Sequence, residues 1–356
     1  MKENLLITGG CGFVGSNLAL LLKKKYPSLK IRVMDNLHRR GSELNISRLR
    51  ELDIPFIHGD IRNPEDFEEV GPCEVIIDAA AEPSVLSGIN SAPEYCLNTN
   101  LGGTLNMLNY AVKHKADIVF LSTSRVYPIP YIEQILVEEK ETRFEITPNQ
   151  ILPGVSPLGI SESFPLDKAR SLYGTTKLAS ELFLEEYKEF LGLRYIINRC
   201  GVIAGPYQMG KVDQGVAVLW MAKHFWQKDL QYIGYGGTGK QVRDFLHIQD
   251  LFELIDYQLN HFEELNGQTF NAGGGRNIST SLQELTKICE EITGNKINIH
   301  PVKENRSGDI RIYLTDNSKV TQYCGWSPQL NIKDIMTDIY DWIRQHEPTL
   351  KPLLNL

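Results

Sequence analysis

Short apolar runs alternate with amphipathic stretches along the first half of the chain. Mostly apolar residues predict buried strands at 4–8, 31–35, 56–60, 75–80, 117–123 and 194–200. Apolar residues at helical spacing predict helices at 12–24, 93–114 and 166–190. Because such alternation is typical of a parallel sheet covered by helices on both faces, we predict an α/β fold with a doubly wound, Rossmann-type sheet.

The pattern breaks between residues 127 and 166, where prolines recur at 128, 130, 148, 153, 157 and 165. A loop this long is uncommon unless functional, although a plain surface insertion is the alternative. After residue 200 the elements shorten and glycines cluster at 234–239 and 273–275, which predicts a smaller α/β substrate-binding lobe. We therefore expect a dinucleotide-binding domain at 1–203, with about 245–262 returning to it, and a lobe at 204–244 and 263–356.

Composition narrows the class of protein. The 356 residues are 42% hydrophobic and 23% charged, which is ordinary for a globular chain. The net charge of −7 argues against nucleic acid as the main partner, but it does not exclude a local basic site for a phosphorylated small molecule. No apolar run approaches the roughly 18 residues of a membrane span, and the first residues lack the long apolar core of a signal peptide. We expect a cytoplasmic protein with no membrane partner.

The cysteines and histidines show no metal-binding spacing. We expect no catalytic metal, and we expect the cysteines to be buried small hydrophobes in a reducing compartment rather than disulfides. They lie at 11, 73, 96, 200, 289 and 324.

A glycine-rich turn joins the first predicted strand to the first helix, in TGGCGFVG at 8–15. The first two glycines of G-x-x-G-x-x-G let the backbone approach a pyrophosphate, and the third lets helix and strand pack closely. The helix N-terminus adds N–H groups and a positive dipole end. Glycines also serve plain turns, but the flanking elements favour a dinucleotide site at Gly9, Gly12, Phe13, Val14 and Gly15.

Acidic residues follow the next two predicted strands. Asp35 lies about 20 residues after Gly15, where a carboxylate accepts from the adenosine ribose hydroxyls and repels a 2′-phosphate. This favours NAD over NADP, while a basic pair at 39–40 keeps the alternative open. Asp60 is a candidate acceptor for the adenine amino group, with Ile61 packing on the ring; a helix cap or turn is the alternative for Asp60.

Tyr173 and Lys177 form a Y-x-x-x-K motif, whose spacing places both side chains on one helix face. A neighbouring ammonium stabilises a phenolate, which can take a proton from a sugar hydroxyl as hydride leaves the carbon. The spacing also occurs by chance on ordinary helices. Thr123, at the end of a strand, can hydrogen-bond the reacting oxygen, or simply cap a turn. Asn100 is a polar residue in a helical stretch, expected to position a backbone or the cofactor.

Together these motifs resemble the extended short-chain dehydrogenase/reductase family. The resemblance also rests on DN at 35–36, GDIR at 59–62, NxxGT at 100–104, LSTSxVY at 121–127 and RDFxHxxD at 243–250. Family members mostly modify nucleotide sugars with tightly held NAD and often dimerise. The resemblance implies Thr123, Tyr173 and Lys177 as catalytic residues, a homodimer or homotetramer, and further NAD contacts from Asn36, Asp60, Ile61, Ala80, Asn100, Tyr173 and Lys177.

The reaction is narrowed by the residues after Thr123. Dehydratases and decarboxylases of this family carry carboxylates there, whereas this chain has Ser124 and Arg125, so the resemblance implies an epimerase. Motifs at 141–144, 212–215 and 239–244 are similar to those of the CDP-paratose 2-epimerases, a subgroup that inverts C2 of a CDP-hexose through a transient keto sugar. A UDP-sugar 4-epimerase and a non-catalytic NAD-binding module are the alternatives.

The same resemblance implies a set of substrate contacts. Guanidinium forks suit bidentate phosphate binding, and two arginines fit the family positions that clamp the nucleotide diphosphate. Without the resemblance, each is an ordinary surface arginine. The predicted substrate-binding residues are Thr123, Ser124, Arg125, Gln214, Lys240, Arg243 and Arg306.

Overall fold

The computed structural model describes residues 2–88, 92–210 and 214–354. Its strands, in chain order, are β1 Asn4–Thr8, β2 Lys30–Asp35, β3 Phe56–His58, β4 Val75–Asp78, β5 Asp117–Thr123, β6 Val137–Glu139, β7 Phe144–Ile146, β8 Val155–Ser156, β9 Gly159–Ile160, β10 Tyr195–Cys200, β11 Val202–Ala204, β12 Leu230–Ile233, β13 Val242–His247, β14 Gln268–Ala272, β15 Ser279–Ser281, β16 Ile299–Val302 and β17 Ile312–Tyr313.

The helices complete the list of elements. They are α1 Phe13–Lys25, α2 Leu44–Arg50, α3 Pro64–Val70, α4 Glu94–Leu97, α5 Gly103–His114, α6 Ile129–Ile132, α7 Leu172–Leu191, α8 Val216–Phe225, α9 Ile248–Asn260, α10 Phe262–Leu265, α11 Leu282–Thr293, α12 Ser318–Cys324, α13 Ile332–Gln345 and α14 Glu347–Leu354. Within the described ranges, none of these helices is both long and apolar enough to cross a membrane.

The largest sheet has seven strands in the order β14-β10-β5-β4-β1-β2-β3. The pairs β1–β2, β1–β4, β2–β3 and β4–β5 are parallel. Every residue of β4 and β5 is buried, as expected for strands covered on both faces. This confirms the predicted α/β fold with a Rossmann-type parallel sheet.

The chain divides into two compact units. The first comprises the chain up to Val126, Ser171–Arg199 and Phe252–Phe270. The second comprises Tyr127–Arg170, Cys200–Leu251 and the chain from Asn271 onward. The domain limits expected from the sequence placed 127–170 with the dinucleotide-binding domain, whereas these residues cluster with the second unit.

Backbone hydrogen bonds explain why the proline-rich segment belongs to the second unit. The Phe144 N–H donates to the Lys240 carbonyl over 3.1 Å, and the Ile160 N–H donates to the Leu314 carbonyl over 2.8 Å. The segment is also not structureless, because β6 pairs with β7 and β8 pairs with β9, both antiparallel. Strands of two or three residues are too short to produce a readable period in the sequence.

Two predicted helices of the first unit have different limits from those expected. The stretch 93–114 is interrupted by a π-helical turn at Asn98–Gly102, between α4 and α5. The helix expected from residue 166 begins at Leu172, because Ser171 is its N-cap and accepts the Gly174 N–H over 3.1 Å. This cap places Tyr173 in the first turn of α7.

The second unit is built around β13, which pairs with β11, β15 and β17. Helices α8, α11 and α13 pack on one another, and β12 pairs in parallel with β16. The six cysteines are all buried, as expected from the sequence.

Candidate active site

The turn between β1 and α1 is too narrow for side chains at two of its glycines. Gly9 has φ +63°, and a Cβ there would lie 2.8 Å from the Ala80 Cα. A Cβ on Gly15 would lie 2.3 Å from the Gly9 carbonyl oxygen. Gly12 is the N-cap of α1 and has no side chain to cap its first turn. The turn therefore leaves backbone N–H groups at a helix N-terminus, where a diphosphate binds well.

Asp35, the last residue of β2, is bound to this turn. Its carboxylate accepts the Cys11 N–H over 3.0 Å and the Leu37 N–H over 2.8 Å. Burial raises the pKa of Asp35 above its ordinary value, although these N–H groups and that of Gly12 act in the opposite direction. The carboxylate lies beside the glycine turn, which suits the ribose contact expected from the sequence.

Asp60 belongs to a hydrogen-bonded group with its two neighbours in space. It accepts from Asn36 Nδ2 over 2.9 Å and forms an ion pair with Arg62 at 2.6 Å. Burial by itself would raise the pKa of Asp60, but the hydrogen bonds from Arg62 and Asn36 outweigh it and lower the pKa to about 2. Asp60 is therefore an ionised acceptor at neutral pH.

Ile61, expected to pack on an adenine ring, belongs to the hydrophobic core of the first unit. Its side chain is 7% exposed, and its Cδ1 lies 2.5 Å from where a Cβ of Gly103 would be. Ile61 therefore packs against the first residue of α5, and its contact with the adenine ring stays a prediction.

Asn100 lies in the π-helical turn and is 1% exposed. Its Oδ1 accepts the Glu82 N–H over 2.8 Å, and its Nδ2 donates to the Glu82 carbonyl over 3.0 Å and to Thr176 Oγ1 over 3.2 Å. The side chain thus ties the segment after β4 to α7. Of the two roles expected for Asn100, the described contacts are those of a residue that positions a backbone.

The three predicted catalytic residues lie on neighbouring elements of the first unit. Tyr173 and Lys177 are 9% and 1% exposed, one turn apart on α7. Thr123 ends β5, is 8% exposed, and accepts the Arg125 N–H with its Oγ1 over 3.1 Å. Helix α7 packs against β5 and against the turn Ser124–Val126. Lys177 Nζ lies 3.8 Å from the centroid of the Phe120 ring, a contact that stabilises a buried cation.

The predicted substrate residues of the second unit are half-buried and hydrogen-bonded. Arg243, in β13, forms an ion pair with Asp309 at 2.9 Å and donates to the Ile310 carbonyl over 2.7 Å. The Asp309 N–H donates to the Arg306 carbonyl over 3.2 Å. Arg306 therefore lies in the same loop that Arg243 contacts from β13. Lys240 instead forms an ion pair with Glu139 at 2.8 Å.

For the remaining predicted substrate residues, the structure gives the degree of burial. Ser124 and Arg125 are half-buried in the turn after β5, and Gln214 is half-buried. Val212 and Asp213, part of the motif at 212–215, lie outside the described residues.

Sequence reasoning missed a buried ion pair next to the predicted catalytic residues. Glu181 of α7 and Arg199 of β10 are joined at 2.7 Å, and the Ser122 hydroxyl donates to Glu181. A signal was available, because Glu181 lies one turn after Lys177 on the same face of α7. An acid on a face expected to be covered by a sheet implies a buried partner.

Comparison with known proteins decides the family. A profile of the NAD dependent epimerase/dehydratase family matches residues 5–273. The chain belongs to this family. It is therefore an NAD-dependent enzyme that acts on nucleotide sugars. The narrow glycine turn, the N-terminus of α1 and the Asp35 carboxylate fit this cofactor. The resemblance to the extended short-chain dehydrogenases and the choice of NAD are both confirmed.

Individual relatives cover almost the whole chain. A CDP-paratose 2-epimerase of Salmonella typhi is 33% identical over 95% of this chain and 98% of its own length. A UDP-glucose 4-epimerase of Halalkalibacterium halodurans is 25% identical over 96% of each chain. The crystal structure of a dTDP-glucose 4,6-dehydratase from Bacillus anthracis in complex with NAD has a TM-score of 0.75 and 26% identity, and covers 99% of both chains.

Proposed function

We propose that this enzyme inverts C2 of a CDP-hexose through a transient keto sugar, with no net oxidation of the product. The observation that carries the proposal is the buried group of Thr123, Tyr173 and Lys177, followed at 124–125 by serine and arginine. Elimination of water needs a carboxylic acid and a base near the sugar, and neither serine nor arginine supplies them at neutral pH. The 33% identity to a CDP-paratose 2-epimerase supports the choice of C2 and of the cytidine nucleotide.

The residues around the glycine turn would hold the cofactor. Backbone N–H groups of 9–15 would face the pyrophosphate, Asp35 the adenosine ribose, and Asp60 the adenine amino group. Lys177 would donate to the nicotinamide ribose. When bound, NAD would supply the acceptor and donor of the hydride at C2.

The side chains of this enzyme then carry out the acid–base step of the reaction. Tyr173, as phenolate, takes the proton of the C2 hydroxyl while the C–H bond at C2 breaks, and it returns the proton when C2 is reduced again. The Lys177 ammonium stabilises the phenolate, and the Thr123 hydroxyl donates to the reacting oxygen. Inversion requires the keto sugar to turn its other face before reduction, so the contacts to the sugar must be looser than those to the nucleotide.

The nucleotide contacts are assigned to the charged loop of the second unit, which we define as residues 306–310 together with the Arg243 side chain that contacts them. Arg243 and Arg306 would bind the diphosphate, in which case the ligand replaces or shares the Asp309 contact of Arg243. Arg125, Ser124, Gln214 and Lys240 complete the proposed substrate set. A cytoplasmic location and a homodimer or homotetramer remain predictions from the sequence.

A UDP-sugar 4-epimerase is the second candidate function. It uses the same Thr, Tyr and Lys chemistry, and a UDP-glucose 4-epimerase is 25% identical over 96% of this chain. A panel of CDP-, UDP-, GDP- and ADP-hexoses, scored by NMR for inversion at C2 and at C4, separates the candidates. We expect C2 inversion of a CDP-hexose; C4 inversion of a UDP-hexose alone would replace the first candidate by the second.

A further inference from the structure

A buried charged group of the first unit has no part in the proposed chemistry. Glu181 and Arg199 are 3% and 7% exposed, and Ser122 is 5% exposed. Burying an ion pair costs desolvation that the attraction between the charges only partly repays. A pair of apolar side chains would hold α7 against the sheet at least as well. The charged group therefore calls for a reason other than stability.

The carboxylate of Glu181 is held in one orientation by donors on two strands. Arg199 Nη2 lies 2.7 Å from Oε2, and Arg199 Nε lies 3.1 Å from Oε2 and 3.2 Å from Oε1. The Ser122 hydroxyl donates to Oε1. A fork that binds both oxygens fixes the plane of the carboxylate, and the serine bond fixes its position along β5.

These contacts align the two elements that carry the proposed catalytic residues. Ser122 immediately precedes Thr123 in β5, and Glu181 lies two turns after Tyr173 in α7. Strand and helix also meet where Lys177 Nζ lies over the Phe120 ring, two residues before Ser122. Apolar packing tolerates small sliding movements, whereas directional hydrogen bonds do not. A displacement of about 1 Å between reacting groups can cost roughly 100-fold in rate.

We propose that Glu181, oriented by Arg199, is a positioning residue that sets the Thr123 hydroxyl relative to Tyr173 and Lys177 through its bond to Ser122. The inference rests on the proposed function, because it takes these three residues as catalytic. It assigns Ser122 and Glu181 no contact with substrate or cofactor.

The test removes only the serine link. Ser122→Ala keeps the ion pair of Glu181 with Arg199, so the variant is expected to fold and to retain NAD. We expect kcat to fall on the order of 10- to 100-fold with KM unchanged. Ser122→Thr keeps a hydroxyl at the same carbon and should recover most of the lost kcat, which a purely structural role does not require.

Thr286→Val is the matched control in the second unit. Thr286 is 7% exposed, and its hydroxyl accepts the Trp220 indole N–H over 3.1 Å. This hydroxyl also contacts the Tyr232 hydroxyl at 2.8 Å and donates to the Leu282 carbonyl over 2.8 Å, so its loss should lower the melting temperature at least as much as Ser122→Ala does. We expect this control to leave kcat at the wild-type value.

Two failures are distinguishable. Wild-type enzyme that epimerises a nucleotide sugar while Ser122→Ala matches its kcat overturns the positioning role alone. A fall in kcat that scales with the loss of melting temperature across Ser122→Ala, Ser122→Thr and Thr286→Val overturns it as well. Wild-type enzyme that turns over no nucleotide sugar overturns the proposed function, and this inference with it.

Discussion

Two charged groups, one in each unit, hold their side chains in different ways. In the first unit Lys177, Glu181 and Arg199 are at most 7% exposed and are fixed by neighbouring groups. In the second unit the side chains of Arg243 and Asp309 are 16% and 22% exposed, and their ion pair borders solvent. A buried polar group is costly to leave without a partner, so it allows one geometry. An ion pair that borders solvent is less costly to open, because water can hydrate the separated charges, so a ligand can replace one partner.

This difference fits two separate tasks, the chemical step and the choice of substrate. The proposed transfer of a proton and a hydride needs fixed distances between the reacting groups. Substrate choice differs between relatives, and it needs charges that can change partners when a ligand binds. The first unit suits the former task and the charged loop of the second unit suits the latter.

The largest effect should come from Tyr173→Phe in the first unit. Loss of the phenol oxygen removes the proposed base, and we expect kcat to fall about 100- to 10,000-fold while bound NAD is retained. Steady-state kinetics and the absorbance of released cofactor measure the two quantities. Tyr187→Phe on the same helix removes a hydroxyl that donates to Asn109 over 2.8 Å, and it should leave kcat unchanged. Near-normal turnover of Tyr173→Phe would remove this residue from its role.

Breaking one buried and one exposed ion pair should show how strongly burial determines the loss of stability. Glu181→Ala is expected to lower the free energy of unfolding by about 3–5 kcal/mol, because it leaves a buried guanidinium without its carboxylate. In the second unit Glu291 and Lys333 are 3.5 Å apart with side chains 64% and 63% exposed, and Glu291→Ala should cost less than about 1 kcal/mol. Urea unfolding measures both changes. Equal losses would contradict the contrast.

A smaller effect is expected in the charged loop of the second unit. Arg243→Lys keeps the charge but loses the planar fork, so we expect KM for the nucleotide sugar to rise about tenfold with little change in kcat. Arg311→Lys is the control, since Arg311 lies 3.4 Å from Glu133 and has no proposed ligand contact. A fall in kcat with unchanged KM would instead place Arg243 in the chemistry.

The smallest effect concerns pH and Asp60. The folded-state pKa of Asp60 is lowered to about 2, below the unfolded value of about 3.9. Its stabilisation is therefore fully present above about pH 4 and is lost as pH falls toward 2. Asp60→Asn should be less stable than wild type at pH 6, with a difference that shrinks below pH 4 in urea titrations. Asn36→Ala removes one donor to Asp60, so its loss of stability relative to wild type should vary less with pH. A stability difference between Asp60→Asn and wild type that stays constant from pH 6 to below pH 4 would show that the pKa of Asp60 is not lowered.

The sequence predicted most of the first unit because its signals are local. Strands β1 and β5 have the predicted limits, since each has a continuous apolar centre between polar ends, and the glycine turn lies between predicted elements. The start of α7 was misplaced because the cap at Ser171 outweighs the apolar residues before it. The π-helical turn around Asn100 was missed, although its asparagines, threonine and glycine all have low helix propensity.

The rest depended on contacts between distant residues. Ser122, Glu181 and Arg199 come from three separate elements, and no spacing in the sequence links them. The short hairpins of 137–160 are likewise held by pairing with segments near residues 240 and 314 rather than by their own pattern. Family motifs pointed to Arg243 and Arg306, but their shared loop with Asp309 appears only in the fold.

The most direct measurement of the central claim is turnover of a CDP-hexose in D₂O, followed by NMR. A hydride that leaves C2 and returns to it never exchanges with solvent, so we predict product inverted at C2 with protium retained there. Deuterium at C2 of the product would contradict hydride transfer at that carbon. Inversion at C4 with C2 unchanged would contradict the assigned position.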